Sequence, residues 1–325
     1  MNKKILKIIG TLLMIISFIF IIKKIIKYDL GAFQFSIIQN HIIKYSFLCI
    51  ALGGIIIISG ILFRQIVCVI SNVKVSKKQT TYTYCKANLY KYIPSNVVQY
   101  IGRNQIALDN NQVSHQQVIV ATIAEIVFLV TTSLLVALCF AYQYGNEIII
   151  KYNLQNTLWI IGGIAVISIP LSVILILQLK RKHKSYLQNL YEQFKKIIYK
   201  IPVFVFCYFI VYILNGLFFL VVLSDFCGEN IVISQLGKEV IGLYALSWVL
   251  GYITPGAPGG LGIRESIMCL FLADDFTENV ILSAVLVHRL LTILGDIVAF
   301  IILFLISKKI WKGKKNDFND CNTYL

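Results

Sequence analysis

YSFLCIALGGIIIISGILF, residues 45–63, decides the class of this chain. The stretch carries no charge and is closed by Lys44 and Arg64. A helix crossing the roughly 30 Å hydrocarbon core of a bilayer needs about 20 mostly apolar residues. Comparable runs lie between Lys7 and Lys23, Glu125 and Glu147, Lys151 and Lys180, Lys200 and Asp225, and Glu239 and Arg264. A last one, Glu278 to Lys308, is broken only by His288, Arg289 and Asp296. Closed β-barrels also span membranes, but they need alternating strands of about 10 residues. Solid Ile/Leu/Val/Phe runs do not fit them. The expected fold is an all-α integral membrane protein: a polytopic bundle of about seven to eight transmembrane helices, some re-entrant or broken. Residues 1–311 form its single transmembrane domain, and 312–325 a disordered cytoplasmic tail. The first run follows Lys3 and Lys4, as a signal peptide would, but no small-x-small site follows it, so it reads as an uncleaved anchor.

Composition agrees. Hydrophobic residues make up 58% of the 325 and charged residues 14%, against about 45–50% and 25% in soluble domains. Of the eight cysteines, Cys49, Cys139, Cys207 and Cys269 sit inside apolar runs. There a thiol is a small hydrophobe. No CxxC or His/Cys spacing points to a metal, and no cofactor is expected. The net charge of +15 sits in the connecting segments, as the positive-inside rule requires of cytoplasmic loops; nucleic acid is not an expected partner.

The charge pattern gives an expected topology. Segment 64–117 holds Arg64, Lys74, Lys77, Lys78, Lys86, Lys91 and Arg103 against Asp109 alone. Segment 180–200 holds seven bases against Glu192, and the tail holds Lys308, Lys309, Lys312, Lys314 and Lys315. These face the cytoplasm. Segments 143–156, 225–237 and 274–278 face outward. Both termini then lie in the cytoplasm, if the piece at 262–273 crosses or re-enters. Lys23, Lys24, Lys27 and Lys44 conflict with this scheme, for they fall outside. Residues 81–116 are too polar to span, yet Tyr90, Tyr92, Ile93, Val97, Val98, Tyr100 and Ile101 are too apolar for a free loop. An amphipathic interfacial or re-entrant helix is expected over 94–108, within an element of about 90–110, started by Pro94.

Three constellations could carry function. TPGAPGGLGIRE, residues 254–265, interrupts an apolar region with Pro255, Gly256, Pro258, Gly259, Gly260 and Gly262. Prolines there stop a helix, and broken backbone at membrane depth survives only where protein covers it or it lines a wet cavity. A helix restarting near Gly262 would aim its positive end at the gap, which suits an anion such as a phosphate. Arg264 would add a guanidinium, and Glu265 could pair with Arg289 or Lys238. The plain alternative is an ordinary cytoplasmic turn. Second, Arg289 and Asp296 share a helix face in the last run, either as a functional pair or as a structural one; His288 reads as a packed histidine. Third, Glu125 lies in an apolar stretch, either paired with a base or at the interface. No catalytic residue is identified.

TPGAPGGLGIRE followed by a short apolar helix resembles the Pro/Gly-rich, Gly-Ile/Val-Arg-Glu signature of the lysylphosphatidylglycerol synthase transmembrane region family, the flippase-like family. YKYIPSNVVQYIGR, residues 90–103, is similar to that family's Lys-Tyr-x-Pro-Gly…Arg element, which includes Arg103; Arg289 matches its late-span arginine and Glu125 an acidic position. Ser95 stands where Gly is usual. The resemblance implies about eight helices with re-entrant elements and translocation of an aminoacylated phospholipid. Long members add a soluble aminoacyltransferase domain, but here only about 17 residues follow the last span, too few for a domain. Phosphatidylglycerol lysyltransferase activity is therefore not carried over. The expected function is that of a flippase- or transporter-like protein of the cell membrane. It would move an anionic or aminoacylated phospholipid or a polyprenyl-phosphate lipid along Arg264, Glu265, Arg289, Asp296, Glu125 and Arg103. The alternative is a non-catalytic membrane subunit that holds a lipid- or glycan-synthesis enzyme.

Overall fold

The structure is a computed structural model and describes residues 35–92, 98–109, 112–151, 197–227, 236–253, 260 and 262–321. The runs at 7–23 and 151–180, Lys23, Lys24 and Lys27, and most of the Pro/Gly break (254–259 and 261) lie outside them, as does most of the basic segment 180–200. Among the described residues regular structure is helical, with no strand. The helices are α1 (Phe35–Asn40), α2 (Ile42–Ser71), α3 (Lys77–Asn88), α4 (Val98–Arg103), α5 (Gln105–Asp109), α6 (His115–Lys151), α7 (Ile201–Cys227), α8 (Gly237–Ile253), α9 (Ile263–Leu272) and α10 (Glu278–Cys321). A 3-10 turn, Leu89–Tyr92, extends α3. Among the described residues, four helices contain stretches long and apolar enough to cross a membrane: Ile42–Ser71, His115–Tyr142, Ile201–Cys227 and Glu278–Ser307.

Over 98–109, the described part of the helix expected at 94–108, the chain forms two short helices, α4 and α5, separated at Asn104. α10 continues into the expected tail as far as Cys321; no proline lies between 308 and 321 to stop it.

Local chemistry explains the ends of the first long helix. Asn72 adopts φ 57°, the left-handed conformation that closes α2. Ser76 then accepts from the Gln79 N–H and starts α3. At the other end, Lys44 pairs with Asp225 at 2.6 Å. That accounts for a lysine whose placement conflicted with the charge rule: it neutralises an acid at the same end of the bundle.

Two buried clusters show how the chain runs. One joins Tyr45 and Leu48 of α2 to Leu223 and Phe226 of α7, Val240 of α8, Leu272 of α9 and Ile281 of α10. The other joins Phe63 and Ile70 of α2 to Val118 of α6, Phe204 of α7 and Leu303 of α10. The first marks the Asp225 end, the second the Lys200 end. So α2 and α10 run from the Asp225 end to the Lys200 end, while α6 and α7 run the other way. α8 starts at the Asp225 end, and α9 returns there. At 10 residues, α9 is about 15 Å long, half the thickness of a bilayer core. It is too short to cross a bilayer core by itself. α3 with its 3-10 turn, followed by α4 and α5, makes the opposite hairpin from the Lys200 end.

These two halves are related. α2, the α3–α5 hairpin and α6 correspond to α7, the α8–α9 hairpin and α10, with opposite direction in the bundle. Gly60 and Phe63 match Gly216 and Phe219 at an offset of 156 residues. Thr81, Tyr84 and Tyr92 match Ile241, Tyr244 and Tyr252 at 160, and Glu125 and Ser133 match His288 and Asp296 at 163. The contacts repeat with the residues. A Cβ on Gly60 would meet Thr81 and Tyr84; one on Gly216 would meet Ile241. Phe63 and Tyr84 rings are 5.4 Å apart, and Phe219 and Tyr244 rings 5.6 Å. This is the inverted-topology pattern that many membrane transporters use.

The halves close against each other where α2 crosses α10. A Cβ on Gly53 would lie 2.8 Å from the Gly295 carbonyl oxygen. Gly53→Ala must push two backbones apart, so it is expected to cost about 1–3 kcal/mol. Thermal unfolding in detergent checks this, with Gly54→Ala as the control, since a Cβ there meets nothing within 4 Å.

Candidate functional site

The two hairpins meet inside the bundle. Tyr100 of α4 and Tyr252 of α8 are in hydroxyl–hydroxyl contact, and the Tyr252 ring stacks on Trp248 at 4.9 Å. Arg103, Glu125, Asp296, Arg264, Glu265 and Arg289 fall into three groups within these hairpins and the helices packed against them.

The first group holds Glu125, which is fully buried, and Arg103, 3% exposed. They form an ion pair. The Tyr84 hydroxyl donates to Glu125 Oε1 at 2.8 Å and the Tyr208 hydroxyl at 3.3 Å. The Arg103 guanidinium also lies over the rings of Tyr84 (4.5 Å), Phe63 (5.1 Å) and Tyr100 (5.2 Å). Both charges are thus compensated, as burial demands. Burial first, then the Glu125 carboxylate, holds the Tyr84 phenol well above its ordinary range, so it remains a donor.

The second group surrounds Asp296, 1% exposed. Lys91 pairs with Oδ2 at 2.6 Å, the Tyr92 hydroxyl donates to Oδ2 at 2.6 Å, and Asn88 donates to Oδ1 at 3.0 Å. Burial, then Asp296, raises the Tyr92 phenol in the same way. Asp296 and Arg289 share a face, as their spacing requires, but they do not pair. The carboxylate serves the α3–α5 hairpin instead.

The third group lies at the Pro/Gly break. Arg289 Nη1 is 3.0 Å from Glu265 Oε1, and Arg289 Nη2 donates to the Gly260 carbonyl at 2.7 Å. Glu265 Oε2 accepts the Gly262 N–H at 2.8 Å. Glu265 therefore caps its own helix. The positive end of α9, expected to be free for an anion, already faces a carboxylate. Lys238 pairs with Glu239 rather than Glu265. Arg264 stands apart. Its guanidinium lies over Trp248 at 5.6 Å. Its Nε, like those of Arg103 and Arg289, is buried without a hydrogen-bond partner, but those two have ion pairs and Arg264 has none among the described residues. The break leaves room for it: Gly260 has φ +70°, and a Cβ there would sit 3.0 Å from Arg264 Nε. Gly262, at φ +85°, supplies the turn into α9. Pro255, Gly256, Pro258 and Gly259 lie outside the described residues.

The three groups do not balance. Arg103 faces Glu125, Lys91 faces Asp296, and Arg289 faces Glu265. Arg264 has no described carboxylate of its own, which leaves one positive charge in a buried, donor-rich setting. No group of His, Cys, Asp and Glu that could hold a metal ion occurs among the described residues.

Sequence reasoning did not single out Asn88, Lys91, Tyr92 and Tyr84 as ligands of the buried acids, nor the internal repeat. The signal was present. Tyr92-Ile93-Pro94 leads to Gly102-Arg103, and Tyr252-Ile253-Thr254-Pro255 leads to Gly262-Ile263-Arg264. Comparison with protein-family models, with curated proteins and with solved structures gave no match for this chain.

Proposed function

We propose that this chain is a multi-pass protein of the cytoplasmic membrane, with seven to eight spans and both termini in the cytoplasm. In this reading it moves an anionic lipid headgroup across the bilayer. The observation that carries the reading is the meeting of two opposed hairpins beside Arg264, which among the bases of the three groups is the one without a described carboxylate. A repeat of opposite direction allows one site to be presented to either side by rocking one half against the other. Surplus guanidinium charge recognises phosphate or carboxylate. An anionic phospholipid or a polyprenyl-phosphate lipid fits that chemistry, as does the resemblance to flippase-like proteins.

The test is movement of fluorescent phosphatidylglycerol and of a polyprenyl phosphate in proteoliposomes. Wild type is expected to move at least one of them. Arg264→Ala, folded by thermal unfolding, is expected to slow that movement by about tenfold or more, the equivalent of one lost charge-assisted contact. Failure of well-folded wild type to move either lipid would remove the transport reading and favour a membrane subunit that holds a partner enzyme.

A further inference from the structure

The two halves match closely enough for each to be read against the other. In the first half, Arg103 and Tyr84 converge on the Glu125 carboxylate. Their counterparts in the second half are Arg264, at an offset of 161, and Tyr244, at 160. The counterpart of Glu125 is His288. It occupies the same place in the packing: its ring lies 5.1 Å from Tyr244 and 5.6 Å from Phe219, the match of Phe63. His288 is 3% exposed, and its Nε2 has no hydrogen-bond partner. Its chain neighbour Arg289 donates to the Gly260 carbonyl, and a Cβ on Gly260 would sit 3.0 Å from Arg264 Nε. One half therefore contains a guanidinium, a tyrosine and a built-in carboxylate. The other contains a guanidinium, a tyrosine and an imidazole with an unused nitrogen.

We propose that the second half is an oxyanion site framed by Arg264, His288 and Tyr244, in which a bound anion supplies the acceptor oxygens that the Glu125 carboxylate supplies in the first. This rests on the anion reading of Arg264 given above and deepens it by naming His288 as a ligand-binding residue. Glu125 serves as a template for the ligand: a planar or tetrahedral group offering at least two acceptor oxygens, one to the guanidinium and one to a hydroxyl or imidazole donor. A phosphate ester meets that description, and so does inorganic phosphate. A neutral His288 donates through Nε2, so the site needs no further charge to hold a monoanion. It also follows that His288→Glu supplies the missing carboxylate from within. The second half would then be closed by its own side chain, as the first half is.

The experiment measures ligand-induced thermal stabilisation of the full chain in a neutral detergent. The probes are inorganic phosphate, dioctanoyl phosphatidylglycerol, and dioctanoylglycerol, which lacks the phosphate. Wild type should respond to phosphate, to the phospholipid or to both, and not to dioctanoylglycerol. A response to phosphate assigns the site to a free oxyanion, and a response to the phospholipid alone assigns it to a headgroup. His288→Glu should melt no lower than wild type without ligand and need at least about tenfold more ligand for the same shift. His288→Gln, which keeps a donor, should stay within about threefold of wild type. If His288→Glu does not fold, His288→Leu carries the test, with a similar loss expected. Unchanged ligand response in His288→Glu or His288→Leu overturns the proposal, as does an equal response to dioctanoylglycerol. Anion binding without lipid movement in proteoliposomes would keep this site and sink the transport reading. Lipid movement unaffected by His288→Glu would do the reverse.

Discussion

Glu125→Ala is expected to destabilise the protein by about 3–5 kcal/mol, the range for removing one partner of a buried ion pair. The carboxylate is fully buried. Its loss strands Arg103, which is 3% exposed and has no route to solvent, and it takes the acceptor from the Tyr84 and Tyr208 hydroxyls. The rings of Phe63, Tyr84 and Tyr100 around the guanidinium soften the cost, since each contributes about 0.5–2 kcal/mol to a cation placed over it. They do not cancel it. Arg103→Ala should cost a similar amount for the converse reason. The double variant should cost clearly less than the two single losses added together, because the second substitution removes a group already stranded. Thermal unfolding of the four proteins in detergent, followed by tryptophan fluorescence, measures this cycle. Additive losses would mean that the pair is not coupled.

Asp296→Ala is the second large effect, at about 2–4 kcal/mol. Three donors lose one acceptor each: Lys91, Tyr92 and Asn88. A stranded buried donor costs about 1–3 kcal/mol. Here the cost is tempered, because the Lys91 side chain is 22% exposed and its flexible stem can carry the ammonium towards water. The same exposure orders the series. Lys91→Ala should cost less than Asp296→Ala, since Asp296 keeps Tyr92 and Asn88, and less again than Glu125→Ala. A Lys91→Ala loss equal to that of Glu125→Ala would contradict this account of Asp296.

How much of this was readable in the sequence depends on the distance over which each residue acts. The four long helices are local features. Each is a gap between charges, and α2 could be read from residues 45–63 alone. The shortness of the apolar piece at 262–273 was readable for the same reason, and α9 is 10 residues long. α3 was not readable as an interior element. Lys77–Asn88 is polar, and nothing nearby explains why Thr80, Thr81, Thr83 and Tyr84 are buried. The explanation is non-local: Asn88 meets Asp296 and Tyr84 meets Glu125. The same limit applies to the acids. Sequence spacing placed Arg289 and Asp296 on one face, which invites pairing, but a helix face does not show what packs against it. The α3–α5 hairpin claims Asp296, and the α9 cap claims Arg289 through Glu265. The repeat was readable in principle, at Tyr92–Arg103 and Tyr252–Arg264. Its two copies differ in the chemistry they carry, Glu125 against His288 and Ser133 against Asp296, so a search guided by charged residues passes over it.

The Gly53–Gly295 crossing has a mechanical consequence. With no side chain between them, the backbones of α2 and α10 approach directly at this point, which would serve as a fulcrum if α10 tilted. Asp296 is its immediate neighbour and would barely move in such a tilt, so the load it carries from the α3–α5 hairpin would be borne at the pivot. Glu278 lies about 25 Å away along the helix, and Arg289 about 9 Å. A tilt of about 10° would displace the first by about 4 Å and the second by about 1.5 Å. Such a lever would have a fixed arm on one hairpin and a moving arm on the other, with the grip of Arg289 on Gly260 and Glu265 part-way along it.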